Sequence, residues 1–266
     1  MSSRSILKVA GLSASYRTKD ATVEAVRDVS LEIHSGEALA LVGESAAGKS
    51  TVALGILQLL PGNAEVAGDV VYDGVTLNEL DEAGLRSIRG DDIAIIFQDA
   101  QSALTPTLSV GAQIAELFRE HRDLTSGEAE EAAVETLAKV LPYPADVARS
   151  YPFQLSGGMA QRALIAMAMA LEPKVVIADE PTSSLDVGVR NEMLGWLEEM
   201  RDQHDVAVLL ITHDLGVVAR FADRVEVMYA GEIVESGDVR AIFREPKHPY
   251  TFGLLQSVPG AAHSGG

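Results

Sequence analysis

Gly43-Glu-Ser-Ala-Ala-Gly-Lys-Ser50 fits G-x-x-x-x-G-K-[ST]. It stands between a short apolar run, Ala38-Leu-Ala-Leu-Val42, and a stretch with helical periodicity from Thr51 to Leu60. A strand that runs through a glycine-rich loop into a helix is the context this motif needs. Gly43 and Gly48 let the backbone fold into a nest whose N–H groups, with the helix N-terminus behind them, face phosphate oxygens. The cradle is read as Gly43, Glu44, Ser45, Ala46, Ala47, Gly48, Lys49, Ser50 and Thr51. Lys49 reaches the β- and γ-phosphates of a nucleoside triphosphate, and the Ser50 hydroxyl ligates Mg²⁺.

Working outward, further apolar runs bounded by turn signals alternate with helical patterns, which reads as α/β with a largely parallel sheet. Asp92–Phe97, Val175–Ala178, Val206–Ile211 and Val225–Tyr229 are buried strands, and Gly231–Gly237 is the return arm of a hairpin. Leu7–Ser15 and Val29–Ile33 alternate instead, as antiparallel strands with one solvent-facing side do. Between Thr107 and Leu141 the strand signals vanish. Val110–His121 and Ser126–Leu141 read as helices, the second with Ser126 as its N-cap. The expected fold is therefore an α/β P-loop NTPase core (1–100 and 161–244) with an N-terminal antiparallel β subdomain. A helical subdomain (101–160) is inserted, and a short tail (245–266) follows, all forming one domain. The third buried strand ends in Asp179-Glu180. Such a site needs this pair: Asp179 to hold Mg²⁺ through water, and Glu180 to orient or deprotonate the attacking water.

The chain of 266 residues carries 21 basic against 39 acidic side chains, a net charge of −18. That balance argues against a broad phosphate-binding surface for nucleic acid and against direct contact with an anionic leaflet. With no cysteine there is no disulfide, thiolate metal site or thiol nucleophile. No apolar run reaches signal-peptide or bilayer-spanning length, so a soluble, cytoplasmic protein is expected.

Leu155-Ser-Gly-Gly-Met159, followed by Gln161-Arg162, narrows the reading. Ser156 is a natural N-cap for the helix running to Leu171, and Gly157 and Gly158 leave its first amides open to an anion. A chain with one phosphate loop needs a second phosphate-facing helix only if that helix caps the nucleotide of a neighbouring subunit. Here the sequence resembles the ATP-binding cassette (ABC) ATPases, whose signature motif is L-S-G-G-x, over nearly its whole length and in the family's motif order. The resemblance implies that Tyr16 stacks on adenine. It makes Gln98 the glutamine that approaches Mg²⁺ and water, Ser184-Leu-Asp186 a loop crossing the dimer interface with Asp186 at the nucleotide, and His213 the switch histidine at the γ-phosphate.

Arg89-Gly90, Ile96-Phe-Gln-Asp99, Tyr151-Pro152, Ile177-Ala-Asp-Glu-Pro181, Ile211–Val218 and above all Lys247-His-Pro-Tyr-Thr251 resemble the ATPase subunits of oligopeptide, dipeptide and nickel importers. The likeness implies an ATP- and Mg²⁺-dependent ATPase at the cytoplasmic face of the cell membrane. It would pair with a second ATPase subunit, identical or different, and with two transmembrane permease subunits, and serve a solute-binding protein indirectly. Peptide is the expected cargo, nickel or another metal chelate the alternative. A soluble ABC ATPase acting on nucleic acid or ribosomes, or a small-molecule kinase, fits less well. Three features depart from the pattern. Ala46 stands where glycine is usual and is strained by about 1 kcal/mol or more if the position has positive φ. Ala160 follows the signature where Gln or a basic residue is common. The absence of cysteine removes the iron–sulfur cluster some relatives carry.

Overall fold

The computed structural model describes residues 4–183 and 187–257. They fall into two compact units, one within Met1–Asp81 and Arg201–Gly266, the other within Glu82–Met200.

The first unit opens on β1 (Ser5–Arg17) and β2 (Thr22–His34), which pair antiparallel with one face buried, as their alternation predicts. β3 (Ala38–Val42) has the expected bounds, and all five of its residues are buried. It feeds the phosphate loop and α1 (Lys49–Ile56). The helix stops at Ile56 rather than Leu60 because Gln58 turns to a left-handed φ of 54°. β4 (Ala64–Tyr72) and β5 (Val75–Thr76) complete an antiparallel sheet ordered β2-β1-β4-β5.

The second unit contains α2 (Glu82–Ile88), β6 (Ile93–Ile96), α3 (Ala100–Ala103), α4 (Val110–His121), α5 (Ser126–Ala138), α6 (Pro144–Arg149), α7 (Gly157–Met169) and β7 (Val175–Asp179), and α8 (Val187–His204) follows. β6 and β7 pair in parallel, Ile93 opposite Val175. α4 has the predicted ends. α5 does not: its N-cap is Thr125, not Ser126, and it ends at Ala138, not Leu141. The reason is a capping box. Thr125 accepts from the Glu128 N–H, while the Glu128 carboxylate accepts from the Thr125 N–H at 2.8 Å, a three-residue spacing that Ser126 cannot offer. The Thr125 hydroxyl, and then its backbone N–H, hold the Glu128 carboxyl below its ordinary range. Ser156 caps α7 as expected.

The first unit resumes with β8 (Ala207–Thr212), α9 (Leu215–Phe221), β9 (Arg224–Tyr229), β10 (Glu232–Asp238), α10 (Val239–Arg244) and α11 (Pro249–Gln256). β8 and β9 flank β3 in parallel, and β10 returns antiparallel along β9 as the predicted hairpin. Val42 lies opposite Thr212 on one side and Val227 on the other. The phosphate loop, His213 and the β9–β10 turn therefore leave the sheet at the same carboxyl edge, where open α/β sheets bind ligands. Among the described residues, no helix is long and apolar enough to cross a membrane.

Candidate functional site

The phosphate loop is shaped by close backbone approach. A Cβ on Gly43 would lie 2.2 Å from the Met228 carbonyl oxygen, and one on Gly48, at φ 105°, 2.3 Å from that of Ala25. No side chain fits at either position, so both glycines are dictated by the fold. Lys49 is buried, and its Nζ donates to the Gly43 and Glu44 carbonyl oxygens, both at 2.9 Å. The ammonium is thus held over the loop. The far side of the loop is braced by the β9–β10 turn, where the Gly231 N–H donates to the Ala47 carbonyl at 3.1 Å.

Ala46 has φ 66°. The position does require the left-handed region, so alanine there is strained by about 1 kcal/mol relative to glycine. Ala46→Gly relieves that strain and gives back part of it in unfolded-chain entropy. A net gain of about 0.5 kcal/mol, or an unfolding temperature about 1–2 °C higher, is expected. A lower temperature on calorimetry would show that the loop relaxes the residue in solution.

Tyr16 is half-buried on β1, and its hydroxyl shares a hydrogen bond of 3.2 Å with the Thr51 hydroxyl on α1, which places both beside the loop. His213 is exposed at the bend between β8 and α9. The bend is fixed around it: the Asp214 N–H donates to the Thr212 hydroxyl at 3.0 Å, and the Asp214 carboxylate caps α9. A histidine there presents its ring to solvent at the edge that carries the loop.

In the second unit Gln98 is exposed two residues beyond the end of β6, and Asp99 beside it caps α3. The Ser102 hydroxyl and backbone N–H groups hold the Asp99 carboxyl below its ordinary range. Asp179 ends β7 and Glu180 follows it, with both carboxylates buried. Glu180 has φ 46°, an uncommon backbone for a side chain with a Cβ, and its carbonyl accepts from the Ser183 N–H at 3.2 Å in the tight turn that follows. From α7, the Gln161 side chain donates to the Pro181 carbonyl at 3.3 Å, tying the helix that begins at Ser156 to the turn after the carboxylates. Asp186 lies outside the described residues.

The glycines at the start of α7 contrast with those of the loop. Gly157 is exposed, and among the described residues a Cβ added to it would meet nothing within 4 Å, while one on Gly158 would meet Val189, at 3.6 Å. None of the described residues requires a glycine at 157. Sequence reasoning overlooked Tyr250, whose hydroxyl accepts the Glu44 N–H at 2.9 Å. A tyrosine after an X-Pro turn, 206 residues from its partner, gives no sign of this in the sequence. In the first unit Ser50 stands on the first turn of α1, and in the second Gln98 and Asp179 each carry a side-chain oxygen, the kind of donor that suits Mg²⁺.

Residues 26–183 match the family described as ABC transporter, and residues 234–265 match that described as the oligopeptide/dipeptide transporter, C-terminal region. The oligopeptide transport ATP-binding protein OppD of Bacillus subtilis is 43% identical over 263 residues, 98% of this chain and 74% of the relative. The dipeptide transport ATP-binding protein DppD of the same organism is 46% identical over 257 residues, 96% of this chain and 77% of the relative. Among solved structures, the dimeric post-hydrolysis state of the ATP-binding cassette MJ0796 bound to ADP and Pi has a TM-score of 0.78 at 29% identity. It covers 88% of this chain and 99% of that one.

Proposed function

This chain belongs to the ABC transporter family, and we propose that it is the ATP-hydrolysing subunit of an importer for di- and oligopeptides. The observation that carries the composite-site part of this reading is Gly157, an exposed glycine at a capped helix start that no described residue crowds. A residue free of internal constraint and open to an anion is suited to the nucleotide of a second subunit. The cargo follows from the C-terminal match and from relatives named as oligopeptide and dipeptide transport ATP-binding proteins.

Residues 101–160 are assigned to a helical subdomain inserted in an α/β nucleotide-binding core. In the reaction, the loop of residues 43–51 binds the phosphates through amides other than that of Glu44, Tyr16 stacks on the adenine, and Lys49 takes up charge that develops on the transferred phosphoryl group. Ser50, Gln98 and Asp179 would hold Mg²⁺, which supplies charge neutralisation at the phosphate oxygens. Glu180 accepts a proton from, or orients, the attacking water, and His213 fixes that water against the γ-phosphate. Ser156, Gly157 and Gly158 of the facing ATPase subunit close the site, with Asp186 in the loop between subunits. Closure and reopening of the pair work two permease subunits as rigid bodies at the cytoplasmic face of the membrane. A solute-binding protein delivers the cargo to those permeases.

Reconstitution with its permeases in vesicles tests this reading. Phosphate release from ATP should rise together with uptake of a labelled di- or oligopeptide. Uptake of a nickel chelate in place of peptide would reassign the cargo. Hydrolysis that responds to DNA or RNA and not to permeases would overturn the reading.

A further inference from the structure

The element Lys247-His-Pro-Tyr-Thr251 has no part in the reaction described above, yet it is built onto the phosphate loop. Glu235 on β10 accepts the backbone N–H groups of Lys247 at 2.8 Å and His248 at 3.0 Å, which pins the chain ahead of α11. His248 then caps the helix, its Nδ1 accepting the Tyr250 N–H at 3.2 Å. Pro249 takes the first helical position, where a missing N–H costs nothing. These contacts fix where α11 begins and so where Tyr250 points. The Tyr250 ring lies 4.5 Å, centroid to centroid, from that of Tyr229, and it packs with Leu254 and Leu255 on the core that contains Val42 and Val227.

The Tyr250 hydroxyl accepts the Glu44 N–H, and that N–H belongs to the peptide unit whose carbonyl is Gly43 O. The same carbonyl accepts from Lys49 Nζ. One peptide plane at the start of the loop is therefore held at both ends, its N–H by Tyr250 and its C=O by the lysine ammonium. If the plane turns, the acceptor that places Lys49 moves with it. Burial pushes the Tyr250 hydroxyl up from its ordinary pKa, so it remains a neutral hydroxyl throughout the physiological range.

Resting on the nucleotide-binding reading of the loop, we propose that Tyr250 is a positioning residue: through the Gly43–Glu44 peptide it sets the loop and the Lys49 ammonium for ATP. The His-Pro-Tyr element then tunes nucleotide affinity from the opposite end of the sequence.

Tyr250→Phe keeps the ring and its packing and removes only the acceptor. By calorimetric titration of the full chain, ATP binding should weaken about 3- to 10-fold, the worth of one hydrogen bond. The unfolding temperature without nucleotide should stay within about 2 °C of wild type. Amide exchange over residues 43–49 should quicken while the rest of the first unit is unchanged. Unaltered affinity and exchange would overturn the proposal. So would an affinity loss matched by an equal loss of nucleotide-free stability, since that marks a packing role. If the wild-type chain itself fails to bind ATP, it is the nucleotide-binding reading that falls; a wild type that binds beside an indifferent Phe variant removes only the role of Tyr250.

Discussion

Glu180→Gln is expected to bind ATP and scarcely hydrolyse it. The substitution is nearly isosteric, so the buried side chain keeps its volume at the end of β7 and the tight turn to Ser183 keeps its backbone. What is lost is the carboxylate proposed to accept a proton from water or to orient it. General-base catalysis of this kind contributes about 10²- to 10⁴-fold, so turnover should fall by about three orders of magnitude. Removing a negative charge beside the triphosphate leaves binding intact or improves it, and the ATP-bound state should accumulate. Single-turnover phosphate release together with retained radiolabelled ATP would display both effects. Unchanged turnover would show that Glu180 is not the key carboxylate.

Gly157→Asp should separate folding from function. The site is exposed, no described residue lies within 4 Å of the added Cβ, and an acid in the first turn of α7 is favoured by the helix dipole. Thermal stability should hold or rise by a few tenths of a kcal/mol. Hydrolysis should nevertheless collapse by about 100-fold, because a carboxylate would then occupy the face proposed to meet the γ-phosphate of the facing subunit, and like-charge juxtaposition at an interface costs several kcal/mol. ATP binding by the variant's own phosphate loop should be unaffected. Full hydrolysis by a stable Asp variant would mean that α7 does not face a phosphate at all.

Much of the fold could be read from the sequence where burial is one-sided or complete. β3 is buried at every residue and was bounded correctly, and α4 carries an apolar stripe between a serine cap and its end at His121. β4 could not be found that way. Ala64–Asp69 is mostly exposed, and burial resumes only at Val70 and Tyr72, so no alternation marks the strand. α8 buries Met193, Leu194, Leu197 and Met200 at helical spacing, a pattern the sequence displays. At the site, the phosphate loop, the Asp179-Glu180 pair and the Ser156 cap follow from local chemistry. The left-handed φ of Ala46 could be posed only as a condition, and that of Glu180 not at all, because backbone strain depends on the surrounding fold. The Tyr250–Glu44 hydrogen bond joins residues 206 apart, which no local pattern encodes.

The central claim is that each ATP is hydrolysed between the phosphate loop of one ATPase subunit and the signature helix of another. Complementation tests it most directly, at a concentration where the wild-type chain hydrolyses ATP. Lys49→Ala removes the loop's ammonium and keeps the signature; Gly157→Asp spoils the signature and keeps the loop. Alone, each should be inactive. Mixed, they should regain a clear fraction of wild-type phosphate release, because the intact loop of one chain meets the intact signature of the other. A mixture as inactive as its components would contradict the composite site and place catalysis within a single chain.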